Sequence, residues 1–89
     1  MELPVEVTAD VCTRLRRVAG QVLGVERMLA EGRDCNEIVA QLSAATKALE
    51  HAGFRLATAG LTYCLEHPDE AKLDGNDIEA VQKMFMKLA

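Results

Sequence analysis

Apolar residues recur along this chain at alternating intervals of four and three residues, a spacing typical of a helix that packs along one narrow stripe. The pattern predicts a first helix at about 10–31, with Asp10 near its N-cap and Gly32 as its C-cap. The segment before it, which contains Leu3 and Pro4, is expected to be an extended arm. The apolar stripe of this helix consists of Val11, Leu15, Val18, Val22, Val25 and Leu29.

The same spacing continues through the middle of the chain and predicts an unusually long second helix at about 35–66. Asp34 is its expected N-cap, and Glu37, three residues later, would complete a capping box. A third, short helix is predicted at about 76–88, after a loose segment that follows Pro68. The stripe of the second helix consists of Ile38, Leu42, Ala45, Leu49, Ala52, Leu56, Ala59 and Tyr63. We therefore expect an all-α fold of three helices in a single domain, 1–89.

The length of the second helix predicts an association between copies of the chain. A helix of about thirty residues is a rod of roughly 45 Å, whereas a compact chain of 89 residues has a radius of gyration of about 12 Å. The rod would extend beyond a globule and leave its apolar stripe in water, and a second copy is the simplest cover. Gly20 and Gly24, on one face of the first helix, would permit close approach by another helix.

Composition favours a soluble, cytoplasmic protein with no membrane partner. The chain is 49% hydrophobic but has no apolar run long enough to span a bilayer, and its acidic N-terminal segment lacks the features of a signal peptide. Its three cysteines are an odd number in a chain with no export signal, which indicates free thiols in a reducing compartment.

Charge is distributed unevenly along the chain. The net charge of −4 does not by itself suggest nucleic acid. Residues 12–33, however, contain five arginines and two glutamates, whereas the chain from Glu66 onward has six acidic residues and three lysines. The first helix is therefore basic on an otherwise acidic protein, for which a solvated helix face is the alternative explanation.

Cys35 and Cys64 form the most informative pair of residues. They are 29 residues apart, which is eight helical turns plus about 20°, so both thiols project from nearly the same face of the second helix. Along the rod they are about 43 Å apart and cannot meet within one chain. An antiparallel pairing of two copies about an axis near Leu49 and Glu50 would place Cys35 of one chain beside Cys64 of the other. The alternative is that each cysteine is a small buried apolar residue.

Several motifs together resemble the copper-sensing operon repressor family. They are Arg14-Leu15-Arg16-Arg17, Gly20-Gln21-Val22, Gly24-Val25, Gly32, Cys35 and the run from Gln41 to Leu49. The resemblance implies an antiparallel helical-bundle dimer that assembles into a disc-shaped tetramer and binds double-stranded operator DNA. The residues it implies for DNA contact are Arg14, Arg16, Arg17, Gln21 and Lys47.

The cysteine pattern is closest to the persulfide-sensing members of that family. Copper sensors of the family have a histidine four residues before the second cysteine, and Gly60 stands there in this chain. Asp34 and Ala80 also replace a tyrosine and a glutamate of the copper-coupling network. The resemblance therefore implies a repressor that needs no cofactor and senses a sulfane-sulfur donor through Cys35 and Cys64.

Other functions stay open at this stage. Cu(I) is the first alternative inducer, with Cys35, Cys64 and His67 as its ligands. Formaldehyde sensing is less favoured because Glu2 stands where the family's formaldehyde sensors have proline, and Cys12 is expected to be a packing or incidental thiol. A thiol enzyme such as a sulfurtransferase would need a nucleophile motif that is absent, so no enzyme activity is expected. A copper buffer or a plain helical scaffold would not explain the arginine cluster.

Overall fold

The structure is a computed structural model that describes residues 2–89, and these residues form helices connected by short turns, without strands. The helices are α1 (Val5–Ala30), α2 (Cys35–Glu66), α3 (Pro68–Leu73) and α4 (Ile78–Leu88). The predicted all-α class is confirmed, but the described part of the chain has four helices where three were expected. Met1, the first residue of the predicted domain 1–89, lies outside the described residues.

Helix α1 begins five residues before the predicted start at Asp10. Pro4 occupies the N-cap, and its carbonyl oxygen accepts hydrogen bonds from the amides of Val7 and Thr8, each at 3.1 Å. Proline is compatible with a helix start, and its ring restricts Pro4 itself and the residue before it but not the residues that follow. The arm that Pro4 was expected to keep extended therefore ends at Pro4 itself. Val7 is 5% exposed and adds one turn to the apolar stripe, which stabilises the earlier start.

Helix α2 begins at Cys35 and continues for 32 residues. The carboxylate of Asp34 caps it by accepting the amide of Asn36 at 3.1 Å. The predicted capping box does not form, because the Glu37 carboxylate instead pairs with the Arg33 guanidinium at 2.8 Å. The Asp34 cap alone is therefore the local signal that sets the start of α2.

Helix α3 is the element that the sequence pattern did not predict. The chain leaves α2 at His67, with φ −133° and ψ 62°, and Pro68 then starts a new helical turn. Proline suits the first position of a helix, and Asp69 and Glu70 in the first turn complement the helix dipole. The expected loose segment is thus reduced to the turn 74–77. Its last residue, Asp77, caps α4 by accepting the amide of Ala80 at 3.0 Å.

The predicted apolar stripes are divided between two surfaces. Helices α1 and α2 pack against each other through alternate members of the stripes, namely Val11, Val18, Val25, Ala45, Ala52 and Ala59, all of which are buried. The intervening larger residues stay between 38% and 62% exposed; they are Leu15, Val22, Leu29, Leu42, Leu49 and Leu56. We call this second set the open leucine surface. A single chain therefore leaves half of its apolar pattern in water.

The molecule is elongated, as the length of α2 predicted. Its radius of gyration is 16.8 Å and its extents are 55 × 24 × 13 Å, well above the roughly 12 Å radius of a compact chain of this size. A Cβ placed on Gly20 or Gly24 would meet no neighbouring atom within 4 Å, so their predicted close helix approach does not occur among the described residues of one chain. None of the helices in residues 2–89 has the length and apolarity required to cross a membrane.

Candidate functional site

Cys35 is an exposed thiol in the first turn of α2. The Asp34 cap places its backbone at the positive end of the helix dipole. No part of the described chain covers this thiol, so it is available to a reagent, a metal ion or another subunit.

Cys64 lies near the other end of α2 and is only 5% exposed. Its side chain packs in a cluster with Ala71 of α3 and Val81 of α4, beside the partly buried Phe85. It also lines a cleft of about 630 Å³ between α3 and the start of α4. The other residues that line this cleft are Pro68, Lys72, Asp77, Ile78, Glu79 and Gln82. Sequence spacing predicted the position of Cys64 on α2, but not this enclosure.

The two thiols lie at opposite ends of one side of α2. The helix is continuous between them, so their separation along its axis is about 43 Å. Helix α4 covers this side near Cys64, where Leu88 approaches Gly53 so closely that a Cβ there would lie 2.5 Å from Leu88 Cδ2. Nearer Cys35 the same side is uncovered, and Leu42 is 50% exposed. A single chain therefore does not bring the predicted thiol pair together.

His67 does not join Cys64 in this conformation. Its ring contacts the Tyr63 ring with centroids 5.4 Å apart, and its Nδ1 lies 3.9 Å from a carboxylate oxygen of Glu70. It lines a different cavity, of about 620 Å³, between the N-terminal segment and the end of α2. Across residues 2–89 no three His, Cys, Asp or Glu side chains are grouped closely enough to hold a metal ion.

Tyr63 connects α2 to the turn between α3 and α4. Its hydroxyl donates a hydrogen bond to the carboxylate of Asp74 at 2.9 Å. This bond, together with partial desolvation, raises the pKa of Tyr63 above its usual value, because the ionised phenol would face the Asp74 carboxylate. The sequence pattern assigned Tyr63 only to the apolar stripe; its partner is 11 residues away and could be identified only from the tertiary fold.

Arg14 is held in a cluster of three charged residues. The carboxylate of Asp10 accepts hydrogen bonds from Nε of Arg14 at 3.2 Å and from Nε of Arg55 at 3.1 Å. The hydrogen bond from Arg14 is the main cause that lowers the pKa of Asp10, and Arg55 adds to it. Asp10 thus links α1 to α2 and holds two guanidinium groups on one side of the molecule. Arg55 was not among the residues that the sequence implicated.

The other predicted DNA-contact residues do not share one surface. Arg17 and Gln21 line a shallow groove of about 500 Å³, together with Gly20, Gly24, Arg27, Met28 and Gln41. The Gln21 Oε1 atom is buried there and accepts no hydrogen bond from residues 2–89. Arg16 and Lys47 are exposed and lie two residues from the buried Val18 and Ala45, so helical geometry directs them away from the α1–α2 contact.

The sequence of this chain is similar to those of known transcriptional repressors. The family model described as metal-sensitive transcriptional repressor matches residues 8–87. The copper-sensing transcriptional repressor RicR of Mycobacterium tuberculosis is 42% identical over 52 residues, which cover 58% of this chain and 54% of the relative. The copper-sensing transcriptional repressor CsoR of Bacillus subtilis is 27% identical over 76 residues, which cover 85% of this chain and 72% of the relative. The chain thus spans about half the length of the first of these relatives, and no solved structure matches it.

Proposed function

Because this chain belongs to the metal-sensitive transcriptional repressor family, we propose that it is a cytoplasmic repressor that binds operator DNA and responds to an inducer through a thiol pair between subunits. The pair consists of Cys35 from one subunit and Cys64 from another. The observation that carries this proposal is the placement of both cysteines at opposite ends of one side of an uninterrupted 32-residue helix.

An antiparallel dimer accounts for the surface that a single chain leaves uncovered. The open leucine surface runs along both long helices, and Leu49, at the centre of α2, is 52% exposed. Two copies related by a two-fold axis near Leu49 and Glu50 would bury this surface against each other. The Cys35 end of one α2 would then lie beside the Cys64 end of the other. A homotetramer of two such dimers is the assembly that we propose for the DNA-binding state.

Operator DNA is the proposed partner of the basic residues on α1 and α2. Arg14, Arg16, Arg17, Gln21 and Lys47 are the proposed contacts, and the shared Asp10 contact adds Arg55 to the set. Arg16, Arg17 and Lys47 form no ion pair within residues 2–89, so their charges are free for phosphates. Such contacts release counterions from DNA, and binding should weaken steeply as salt rises.

Cu(I) is the inducer that the comparisons favour. Both relatives named above are copper-sensing repressors. Two thiolates suit a soft Cu(I) ion, and they can bind it with two ligands in a linear arrangement. Binding would join two subunits at each thiol pair and shift the assembly away from its DNA-binding conformation. His67 would need to rotate away from Tyr63 to serve as a third ligand.

A sulfane-sulfur donor is the second candidate inducer, and the donor set itself favours it. Gly60 provides no imidazole one turn before Cys64, and His67 lines another cavity. One thiolate would attack the outer sulfur of a hydropersulfide, forming a cysteine persulfide and releasing the donor's thiolate. The second thiolate would then attack the inner sulfur of that persulfide and release hydrosulfide. The two cysteines are oxidised to a disulfide by two electrons, and the sulfane sulfur is reduced.

The decisive experiment measures DNA binding by the anaerobically reduced protein. Fluorescence anisotropy with the promoter upstream of the protein's own gene should show binding at low salt, with release by one equivalent of Cu(I) per thiol pair or by polysulfide. Cys35→Ala and Cys64→Ala should bind DNA like wild type but keep it when the inducer is added, whereas Cys12→Ala should respond normally. Failure of the reduced wild type to bind at low salt would contradict the repressor function.

Intact-mass analysis, combined with measurement of DNA release, distinguishes the two inducers from each other. A turnover assay tests the enzyme alternative. A cross-link between subunits after polysulfide, without release of DNA by Cu(I), would favour the sulfur donor. Stoichiometric Cu(I) capture with DNA release, and no effect of polysulfide, would favour copper. Sustained turnover of thiosulfate or polysulfide would instead identify a thiol enzyme.

A further inference from the structure

We propose that residues 68–88, which comprise α3, the turn 74–77 and α4, form a gate over Cys64, and that the Tyr63–Asp74 hydrogen bond is its latch. We call this segment the C-terminal gate. The inference rests on the proposed function for its biological purpose, because it concerns how an inducer or a second thiol reaches Cys64. The gate itself is a property of the single chain.

The gate closes over the thiol from two sides. Cys64 is 5% exposed, and the residues that cover it, Ala71 of α3 and Val81 of α4, are 0% and 2% exposed. The remaining access is the cleft between α3 and the start of α4, at which Cys64 is the one residue contributed by α2. Because one wall of the cleft is α3 and the other is the start of α4, its width depends on the turn that joins them.

The gate is attached to the rest of the molecule by few buried side chains. Within residues 68–88, Ala71 and Val81 are the only buried residues, whereas Leu73 and Met86 are 87% and 75% exposed. Phe85 adds an aromatic contact to Phe54 of α2, with ring centroids 6.3 Å apart. Elements with so little buried apolar surface open locally at a much lower free energy than the whole fold.

The latch is located where it controls the cleft. Tyr63 immediately precedes Cys64 in α2, and Asp74 is the first residue of the turn between the two cleft walls. The bond therefore links the helix that carries the thiol directly to the turn that sets the cleft. Loss of the bond removes one of the contacts that hold the gate, alongside the apolar contacts of Ala71, Val81, Phe85 and Leu88, so the open state becomes more populated.

The test measures the reactivity of Cys64 as the single thiol of a Cys12→Ser, Cys35→Ser protein. The rate of alkylation by iodoacetamide, a small neutral reagent, should increase about two- to tenfold in Tyr63→Phe, the range expected when one net hydrogen bond is removed. Val81→Ala should increase it further by loosening the apolar contact. Lys83→Gln, which removes the same exposed ion pair with Glu79 at a residue that does not line the cleft, is the matched control and should leave the rate unchanged.

A spectroscopic readout tests the latch directly. Tyr63 is the only tyrosine and the chain has no tryptophan, so phenolate absorbance reports on this hydroxyl alone. Asp74→Ala should lower its titration midpoint toward the ordinary tyrosine value.

The possible failures are distinguishable. Unchanged alkylation rates in both Tyr63→Phe and Val81→Ala, in variants whose circular dichroism shows intact helices, would overturn the gate. That result would leave the repressor proposal intact, because DNA binding is measured on the reduced protein without an inducer. Conversely, a reduced wild-type protein that does not bind DNA would remove the repressor function but not the gate.

Discussion

Asp10 illustrates how one residue can have a different role from the one that local sequence suggests. Its type and position indicated an N-cap, but α1 begins earlier, so its carboxylate instead joins Arg14 of α1 to Arg55 of α2. The two guanidinium groups then lie on one side of the molecule at little cost in mutual repulsion, because a carboxylate lies between them. A candidate DNA-contact residue is thus positioned by an acidic neighbour.

Asp10→Asn should lower the stability of the protein more at pH 7 than at pH 3, which lies below the ordinary pKa of this carboxyl group. The folded state lowers the pKa of Asp10 below its ordinary value of 3.8, so the charged carboxylate stabilises the fold above about pH 4. That contribution is lost as the pH falls through the lowered pKa. Thermal melts followed by circular dichroism at the two pH values measure it.

Glu26→Gln on the same helix is the matched control for this substitution, because it removes the same charge from an exposed residue with no ion pair in the described chain. An equal decrease in Tm for both variants at pH 7 would show that the ion-pair cluster adds no stability beyond general charge effects.

At the scale of elements, local signals predicted some boundaries and missed others. The start of α2 was evident because Asp34 is a strong cap, and its end because Pro68 cannot continue a helix. The same proline also hid the start of α3, because a proline that ends one helix and a proline that begins the next look alike in sequence. The common side of Cys35 and Cys64 followed from helical periodicity. The enclosure of Cys64 did not, because it depends on Ala71 and Val81 from other helices.

Gly20→Ala should stabilise α1. Glycine inside a helix is less favourable than alanine by up to about 1 kcal/mol, and a Cβ at Gly20 would meet no atom within 4 Å in the single chain. A gain of about 0.5–1 kcal/mol in the free energy of unfolding is expected, measured by urea denaturation.

Gly53→Ala provides the comparison, since its Cβ would lie 2.5 Å from Leu88 Cδ2 and would have to displace that side chain. It should therefore be less stabilising than Gly20→Ala. If Gly20→Ala were instead the more destabilising change, the Gly20 face would have to be packed against another chain in the assembled protein.

At the scale of the whole molecule, the division of the apolar stripes explains why this chain should not function alone. Small residues, Val and Ala, fill the contact between α1 and α2 and bring the two helices close together. The larger leucines face away from that contact, along about 21 Å of each long helix. An interface built on them would connect the proposed DNA-contact residues to both proposed thiol pairs through the same two helices, so an inducer bound at either end would shift the whole assembly.

Leu49→Lys tests this architecture at the proposed two-fold axis. In a single chain Leu49 is 52% exposed, and lysine there should change stability by less than about 0.5 kcal/mol. In the proposed dimer two lysines would meet near the axis in an apolar interface, and dissociation into monomers is expected because the buried charges would lack partners. Light scattering coupled to size-exclusion chromatography measures the mass.

Leu23→Lys, at an exposed leucine of α1 outside the predicted stripe, should keep the wild-type mass. A Leu49→Lys protein that remains fully assembled would place the subunit interface elsewhere, and the pairing of Cys35 with Cys64 across it would lose its geometric basis.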